Sequence, residues 1–244
     1  MAKRNGLGEL LLAGGYSLGN DIQSYQYGGG TALMDVTGID KSAHERIGGR
    51  GDARMSAVAF FNDAIGQEHP VFKALPSTDF QMVIAHGQTL GQPSAALQGK
   101  LLDYAGTRAA DGMLTFNVNN LPNGYSLFVG ESLTAGIRND GSTATNGTAI
   151  DFGSVSTLFG LTAWCQVPAL TSGSPTIKLQ DSADNSVFAD ITGATFGVVA
   201  LNGTYLVQTA ANATVRRYVR VISTGTFAGL QFYAGFMRHL TAQI

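Results

Sequence analysis

Residues 35–63, DVTGIDKSAHERIGGRGDARMSAVAFFND, carry the strongest signal in the chain. Only 13% of all residues are charged, yet nine charged residues from Asp35 to Asp63 fall within these twenty-nine positions. Both signs interleave, and Gly48-Gly49 break the middle. Solubility does not require charge gathered in one place. A surface that must meet another copy of itself, with complementary charges setting the register, does. Lys41–Ile47 reads as a polar loop or a single helical turn. Over Arg54–Phe61, Met55, Ala57, Ala59 and Phe61 alternate with Arg54, Ser56, Val58 and Phe60, which predicts a strand with at least one buried face. The pattern favours an assembly surface over a catalytic centre.

Upstream, Leu7–Ala13 reads as a short helix or a docked arm, ended by Gly14-Gly15. Asp21–Tyr27 and Thr31–Val36 read as extended on either side of Gly28-Gly29-Gly30. Downstream, Asp63–Ala74 predicts the one short helix, with Pro70 early in it and Pro76 just beyond. Strands are expected at Phe80–His86, Ala95–Tyr104, Met113–Leu121 and Tyr125–Val129, with a turn at Arg108–Gly112. Ala135–Ala149 is Gly, Ser, Thr and Asn with almost nothing apolar, and reads as a linker.

Beyond it, Phe159, Leu161, Ala163, Cys165 and Val167 alternate with Leu158, Gly160, Thr162, Trp164 and Gln166. Thr176–Leu179 and Val187–Ile191 flank Asp184-Asn185, a hairpin signal. Strands at Thr204–Gln208, Val215–Ile222 and Leu230–Met237 complete a second β module. Short strands at this spacing without a helical period predict a β-sandwich, jelly-roll or Ig-like.

Composition bounds the rest. At 244 residues the chain holds one large β domain or two ordinary ones, and 44% hydrophobic residues suffice for a packed core. Thirty-two glycines against six prolines, without a collagen period, fit short strands and tight turns. A net charge of −2 leaves no global footprint for nucleic acid or an anionic membrane. The single Cys165 excludes an intrachain disulfide and a cysteine metal cluster, and reads as a small buried hydrophobe. Lys3 and Arg4 precede the apolar Leu10–Ala13, but that run is short for a signal peptide and follows Glu9. No stretch approaches the roughly 18 apolar residues of a membrane span. A soluble chain made in a reducing cytoplasm is expected.

Candidate chemistry is thin. His44, His69, His86 and His239 are scattered, with no metal-ligand spacing. No nucleophile elbow, P-loop or dinucleotide loop is present. Arg50-Gly51-Asp52 spells an adhesion tripeptide inside a segment that already has another explanation. The Asn-x-Thr triplets at 146, 202 and 212 read as turns. Arg216, Arg217 and Arg220 form the basic cluster of the second half, read as the solvated face of a strand or as a contact to phosphate or glycan. No catalytic residue, metal or cofactor is expected.

Residues 1–135 resemble the tail tube (major tail) proteins of long, flexible-tailed bacteriophages. The likeness rests on Leu33–Thr37 leading into Lys41–Arg46, the Gly48–Asp52 loop, Met55–Phe61, Asn62-Asp63 and the helix near Val71–Leu75. Gly99–Tyr104 and Asp111–Val118 look like that family's late strands. Residues 150–240 resemble the β-sandwich decoration modules such proteins append. The resemblance implies a mainly β chain: a tail-tube-type β-sandwich/barrel with one short helix (1–137), a linker (138–150) and a β-sandwich decoration domain (151–244).

It further implies a virion protein, assembled in the host cytoplasm, whose homohexameric rings stack into a tube for genome ejection. Its partners would be other copies, a tape measure protein and the tail terminator or baseplate, with DNA passing through an acidic lumen without specific binding. Lys41–Arg54 would make the subunit or ring contacts, with Lys41, Glu45, Arg46, Arg50, Asp52 and Arg54 as members. The alternative is a capsid decoration or host-glycan-binding virion protein, motivated by Trp164, Tyr205, Tyr218 and Tyr233 on predicted strands.

Overall fold

The computed structural model describes residues 6–75, 78–153 and 156–242, so Lys3, Arg4 and Pro76 lie outside the described residues. In chain order the elements begin with β1 (Leu10–Ala13), β2 (Tyr16–Ser17), β3 (Ile22–Asp35), β4 (Arg46–Phe60), α1 (Glu68–Phe72) and β5 (Phe80–Ala85). Then come β6 (Pro93–Arg108), β7 (Leu114–Pro122), β8 (Phe128–Ser132), β9 (Arg138–Gly141), β10 (Ile150–Asp151) and β11 (Leu161–Ala169). The chain finishes with β12 (Ser172–Gly173), β13 (Thr176–Ser182), β14 (Ala189–Val198), β15 (Gly203–Gln208), β16 (Tyr218–Thr224), β17 (Phe227–Ala228) and β18 (Leu230–Arg238). The protein is mainly β with one short helix, as its periodicity implies.

Its two compact units do not follow chain order. One comprises Met1–Asn20, Gln81–Ala96 and Phe128–Ile244; the other comprises Asp21–Phe80 and Leu97–Leu127. A division at 138–150 follows the drop in apolar content, but Arg138–Gly141 is a strand paired with β18. The Arg138 guanidinium there bonds Asp140, the Val221 carbonyl and the Thr145 carbonyl. Turn-rich composition marks loops here rather than a free linker.

The first unit contains a β-sandwich. The sheet β10-β16-β13-β14 packs against β15-β11-β18 and its neighbours. Leu161, Ala163, Cys165 and Val167 of β11 enter the core with Ile177 and Leu179 of β13, Val219 and Val221 of β16, and Phe232 and Phe236 of β18. Alternation placed those four β11 residues on one face, and all four are buried. The opposite β11 face is buried too. Trp164 stacks on Phe128 at 6.3 Å. Gln166 accepts from Gly15 N–H at 3.0 Å and donates to the Gln81 carbonyl at 3.1 Å.

Leu7–Ala13, read as a helix or arm, instead supplies β1, which pairs with β5 and β2. Leu10 to Ala13 are all buried, so both sides of the segment must be covered, which suits an inner strand. Gly14 and Gly15 turn the chain at φ +59° and +84°, and a Cβ on Gly15 would sit 2.3 Å from the Asn202 backbone. The expected hairpin forms between β13 and β14, with Asn185 at φ +60° in its turn.

The second unit is built on an antiparallel sheet in the order β3-β4-β7-β6, with the Leu97–Arg108 part of β6 contributing. Met55, Ala57, Ala59 and Val118 fill its buried face. The helix is shorter than the predicted Asp63–Ala74. It starts after Gln67, next to Gly66 at φ +78°, and Pro70 leaves it five residues long. Asp21 accepts from Asn62 Nδ2 at 2.9 Å and from Glu68 N–H at 3.2 Å, which ties α1 to the start of β3. Lys41–Glu45 is a loop as expected, but the Gly48–Asp52 loop is strand, the largest difference. The three predicted segments Asp21–Tyr27, Thr31–Val36 and Arg54–Phe61 belong to one long two-stranded ribbon, β3 with β4.

Candidate assembly surface

The ribbon is continuous because both strands keep an extended backbone through their glycines. Ile22 pairs with Ala59 at its root, Gly28 with Arg54 midway and Asp35 with Arg46 at its far end. The β4–β7 ladder spans Met55 to Phe60. At that register Ala53 is level with Pro122 at the end of β7, so residues 46–52 run beyond it, an overhang of about 23 Å at roughly 3.3 Å per residue. The 126–127 segment flanks part of it: a Cβ on Gly29 would meet Leu127 at 2.9 Å, and one on Gly51 would meet Ser126 at 3.3 Å. Past Gly51 the arm stands alone.

The tip is pinned by its own polar groups. Val36 N–H donates to the Glu45 carbonyl at 2.9 Å, and Glu45 N–H to Thr37 Oγ1 at 2.8 Å. Asp35 accepts from the Thr37 hydroxyl and, at 2.9 Å, from Thr37 N–H, and sits 2.9 Å from His44 Nδ1. Hydrogen bonds from the Thr37 hydroxyl and N–H hold the Asp35 carboxyl below its ordinary value. These local bonds define the tip without packing, which is how a solvated hairpin end keeps one shape.

The six residues singled out from sequence all lie on this arm and all are exposed. Lys41 Nζ is 3.5 Å from Glu45 Oε1 across the tip. Arg46 stands opposite Asp35 and opens the strand. Arg50, Asp52 and Arg54 are in strand β4 rather than a loop, with Arg54 Nη2 3.5 Å from Gln26 Oε1. Among the described residues, Arg46, Arg50, Asp52 and Arg54 form no ion pair. The arm brings the six onto one element, but it does not pair them with one another beyond Lys41–Glu45.

What the sequence reading missed is apolar. Leu33 (68% exposed), Met34, Val36, Ile39 and Ile47 sit on the arm with no core beneath them. Leu33-Met34 in succession breaks the polar-out alternation, and the glycines at 28–30 and 48–51 follow one another along the ribbon, the first opposite 52–54 and the second opposite 31–33. Those two signals would have found it.

The sheet behind the arm has open margins. β3 pairs with β4 alone, so the outer side of its fourteen residues carries no strand among the described pairings. At the opposite margin, the described pairings of Leu102–Arg108 of β6 are with β7 alone. From Leu102 to Arg108 β6 is exposed apart from a half-buried Tyr104. Neighbouring strands are antiparallel throughout, so the two open margins run in opposite directions.

Other candidates are satisfied internally. Arg216 bonds Asp181 through Nε at 2.7 Å and through its N–H at 2.8 Å, and Arg217 holds Asp151 at 2.6 and 2.7 Å. The Arg217 guanidinium keeps the Asp151 carboxyl down at about 2. Arg220 bonds Gln180 and lies 3.8 Å over the Phe188 ring. The basic cluster therefore offers little free charge to an anion.

Trp164 and Tyr233 are wholly buried, the latter bonded to Ser132 and Ser94. Tyr205 and Tyr218 are half-buried, so the four aromatics make no stacking platform. Cys165 is buried among apolar side chains, and burial pushes its thiol up. No group of three His, Cys, Asp or Glu able to hold a metal occurs among the described residues, and no helix is long and apolar enough to cross a membrane.

No protein-family model matches the chain, and no curated protein does. Among solved structures, the Dit protein (gp 19.1) of phage SPP1, titled a paradigm of the hub adsorption apparatus in phages infecting Gram-positive bacteria, aligns with 94% of this chain and 99% of its own. The two share 10% identity at a TM-score of 0.32, below the level of a common fold.

Proposed function

We propose that this chain is a structural protein of a bacteriophage tail that self-assembles into stacked rings, the tail tube through which DNA leaves the virion. The observation that carries the proposal is the sheet whose margins, β3 and Leu102–Arg108 of β6, each pair with one strand alone among the described pairings. An uncovered strand edge invites pairing, and a monomer that worked alone would blunt or cover it. Completion by neighbouring copies removes both edges at once. The overhanging arm, with exposed apolar residues beside unpaired charges, supplies a second contact that a lone molecule has no use for.

Hexameric rings, and a tape measure protein and tail terminator or baseplate as further partners, follow from the family resemblance. The same holds for a virion location after assembly in the host cytoplasm. Residues 1–140 carry thirteen acids against ten Lys and Arg, consistent with a conduit that repels DNA phosphates. The mechanism is mechanical, and no residue is assigned a catalytic role. The glycan-binding alternative drew on four aromatics, of which Trp164 and Tyr233 are buried and Tyr205 and Tyr218 half-buried, which weakens its motive.

Electron microscopy of the purified protein, with and without tail extract, tests the proposal. Rings or tubes of uniform diameter are expected. A monomer at every concentration would refute it.

A further inference from the structure

Six Asn-Gly or Asp-Gly pairs occur in the sequence: Asn5-Gly6, Asp111-Gly112, Asn123-Gly124, Asp140-Gly141, Asn146-Gly147 and Asn202-Gly203. Asn5 lies outside the described residues. Such a pair is chemically frail. The glycine nitrogen can attack the side-chain carbonyl carbon of the residue before it, and without a Cβ the glycine does not crowd the five-membered ring that forms. That nitrogen must be free, because an amide held in a hydrogen bond reacts only when the bond opens.

The fold occupies the nitrogen in four of the five described pairs. Gly112 N–H donates to the Ala109 carbonyl at 3.0 Å and Gly141 N–H to Asn139 Oδ1 at 2.9 Å. Gly147 N–H donates to the Val221 carbonyl at 2.9 Å and Gly203 N–H to the Ala200 carbonyl at 3.1 Å. Gly124 N–H donates to nothing among the described residues. Asn123 and Gly124 are both exposed, and a Cβ built on Gly124 meets nothing within 4 Å. The loop after β7 therefore leaves room for the ring to close.

The surroundings of Asn123 give such a change a consequence. Its Nδ2 donates to Asp79 Oδ1 at 2.7 Å, and Lys100 Nζ lies 2.9 Å from the same oxygen. The hydrogen bond from Lys100, and after it that from Asn123, holds the Asp79 carboxyl below its ordinary value. Further along the same loop, Ser126 and Leu127 flank Gly51 and Gly29 of the arm. The Asn123–Asp79 bond thus ties down the loop that braces the arm.

We propose that Asn123-Gly124 is a site of spontaneous succinimide formation, which converts Asn123 to aspartate or isoaspartate in the folded protein. The Gly124 nitrogen gives its proton to solvent base and bonds to Cγ of Asn123. The Cγ–Nδ2 bond breaks, and Nδ2 leaves as ammonia with a proton from solvent. Water then adds to one carbonyl of the imide. Opening at Cγ gives aspartate, and opening at the backbone carbonyl gives isoaspartate; nothing is oxidised or reduced. Either product sets a carboxylate beside Asp79 where a donor stood, and the two like charges compete for Lys100. The loop loses its tie.

Peptide mapping by mass spectrometry of the full-length protein, held in mildly alkaline buffer, tests the site, with isoaspartyl methyltransferase labelling to score the isomer. Asn123 should convert at least about tenfold faster than Asn146 or Asn202, whose glycine amides are protected. In denaturant the three rates should converge to within about threefold, because the protection is lost with the fold. A folded-state rate at Asn123 no greater than at the other two, or rates that stay apart in denaturant, would overturn the proposal.

Asn123→Asp supplies the charge without the chemistry. It should keep the wild-type circular dichroism and speed amide exchange at Ser126 and Leu127 by at least about threefold. Unchanged exchange there would overturn the loosening of the loop.

Discussion

Exposed apolar side chains on the arm should contribute more to assembly than its charges, and the structure sets the scale. Leu33 is 68% exposed, Ile47 49%, and Ile39 fully exposed. Burying such a side chain completely is worth about 1.5–3 kcal/mol. Taken over the exposed share, the three together offer about 3–6 kcal/mol per arm. Ordering the arm against a partner offsets part of this, leaving about 2–4 kcal/mol. The triple change Leu33→Ser, Ile39→Ser and Ile47→Ser should therefore raise the critical concentration for assembly roughly 30- to 1,000-fold.

Arg46→Glu with Arg50→Glu should have a smaller effect, because an exposed ion pair is worth only about 0–1 kcal/mol. Its effect should also fade in high salt, where screening shortens to about 3 Å at 1 M. Pelleting assays across a concentration series at low and high salt separate the two, with denaturant melts of the unassembled protein as control. Because the serine sites are exposed, the unfolding free energy should shift by no more than about 0.5 kcal/mol. An unchanged critical concentration in the serine variant, or a charge variant that abolishes assembly at every salt level, would refute the apolar account.

Three further outcomes follow from the interior. Gln166→Leu nearly keeps the side-chain volume but leaves Gly15 N–H buried without its partner, while the Gln81 carbonyl keeps the Gly14 N–H, so it should cost about 1–3 kcal/mol in chemical denaturation and speed amide exchange at Gly15. Neutral stability would mean that water replaces the amide.

Burial raises the Glu68 carboxyl above its ordinary value, outweighing the nearby Tyr104 hydroxyl and Asn62 backbone, which pull it down. A raised acid holds its proton more tightly in the folded state. Stability from this group is therefore greatest in acid and falls as pH climbs from the unfolded value near 4.3 through the folded one. Glu68→Gln should remove that slope in melts from pH 4 to 8, and a retained slope would assign it elsewhere. Asp151 and Asp184, at about 2, act with the opposite sign and at lower pH, losing their contribution only as pH falls toward that value.

Arg216→Ala strips the buried Asp181 carboxylate of its guanidinium and should cost about 3–5 kcal/mol. A loss below 1 kcal/mol would mark the pair as superficial.

Much of the local structure was legible. The β11 alternation placed Cys165 in the core, and Asp184-Asn185 marked the hairpin, because a two-residue period and turn chemistry depend on nearest neighbours alone. The charged stretch was read as exposed, and it is. Its form was missed because glycine-rich segments such as Gly28–Gly30 and Gly48–Gly51 signal turns as readily as a flat ribbon, and only the pairing of β3 with β4 decides. The helix was overextended for a similar reason: Val71, Phe72 and Leu75 have helical spacing, but Gly66 and Pro70 confine the turn.

By itself, then, the sequence determined the β class, the faces of its strands and where charge must meet solvent, since these are set over a few residues by steric period and hydration. The tertiary structure decided which faces are covered and which edges stay open. Gln166 reaches Gly15 across 151 positions, and β1 finds its partner seventy residues away. Distant pairings of this kind gather separate stretches of chain into one unit, and in the other β3 pairs with β4 alone among the described pairings. Alternation names a face, but only long-range contact tells whether anything lies upon it.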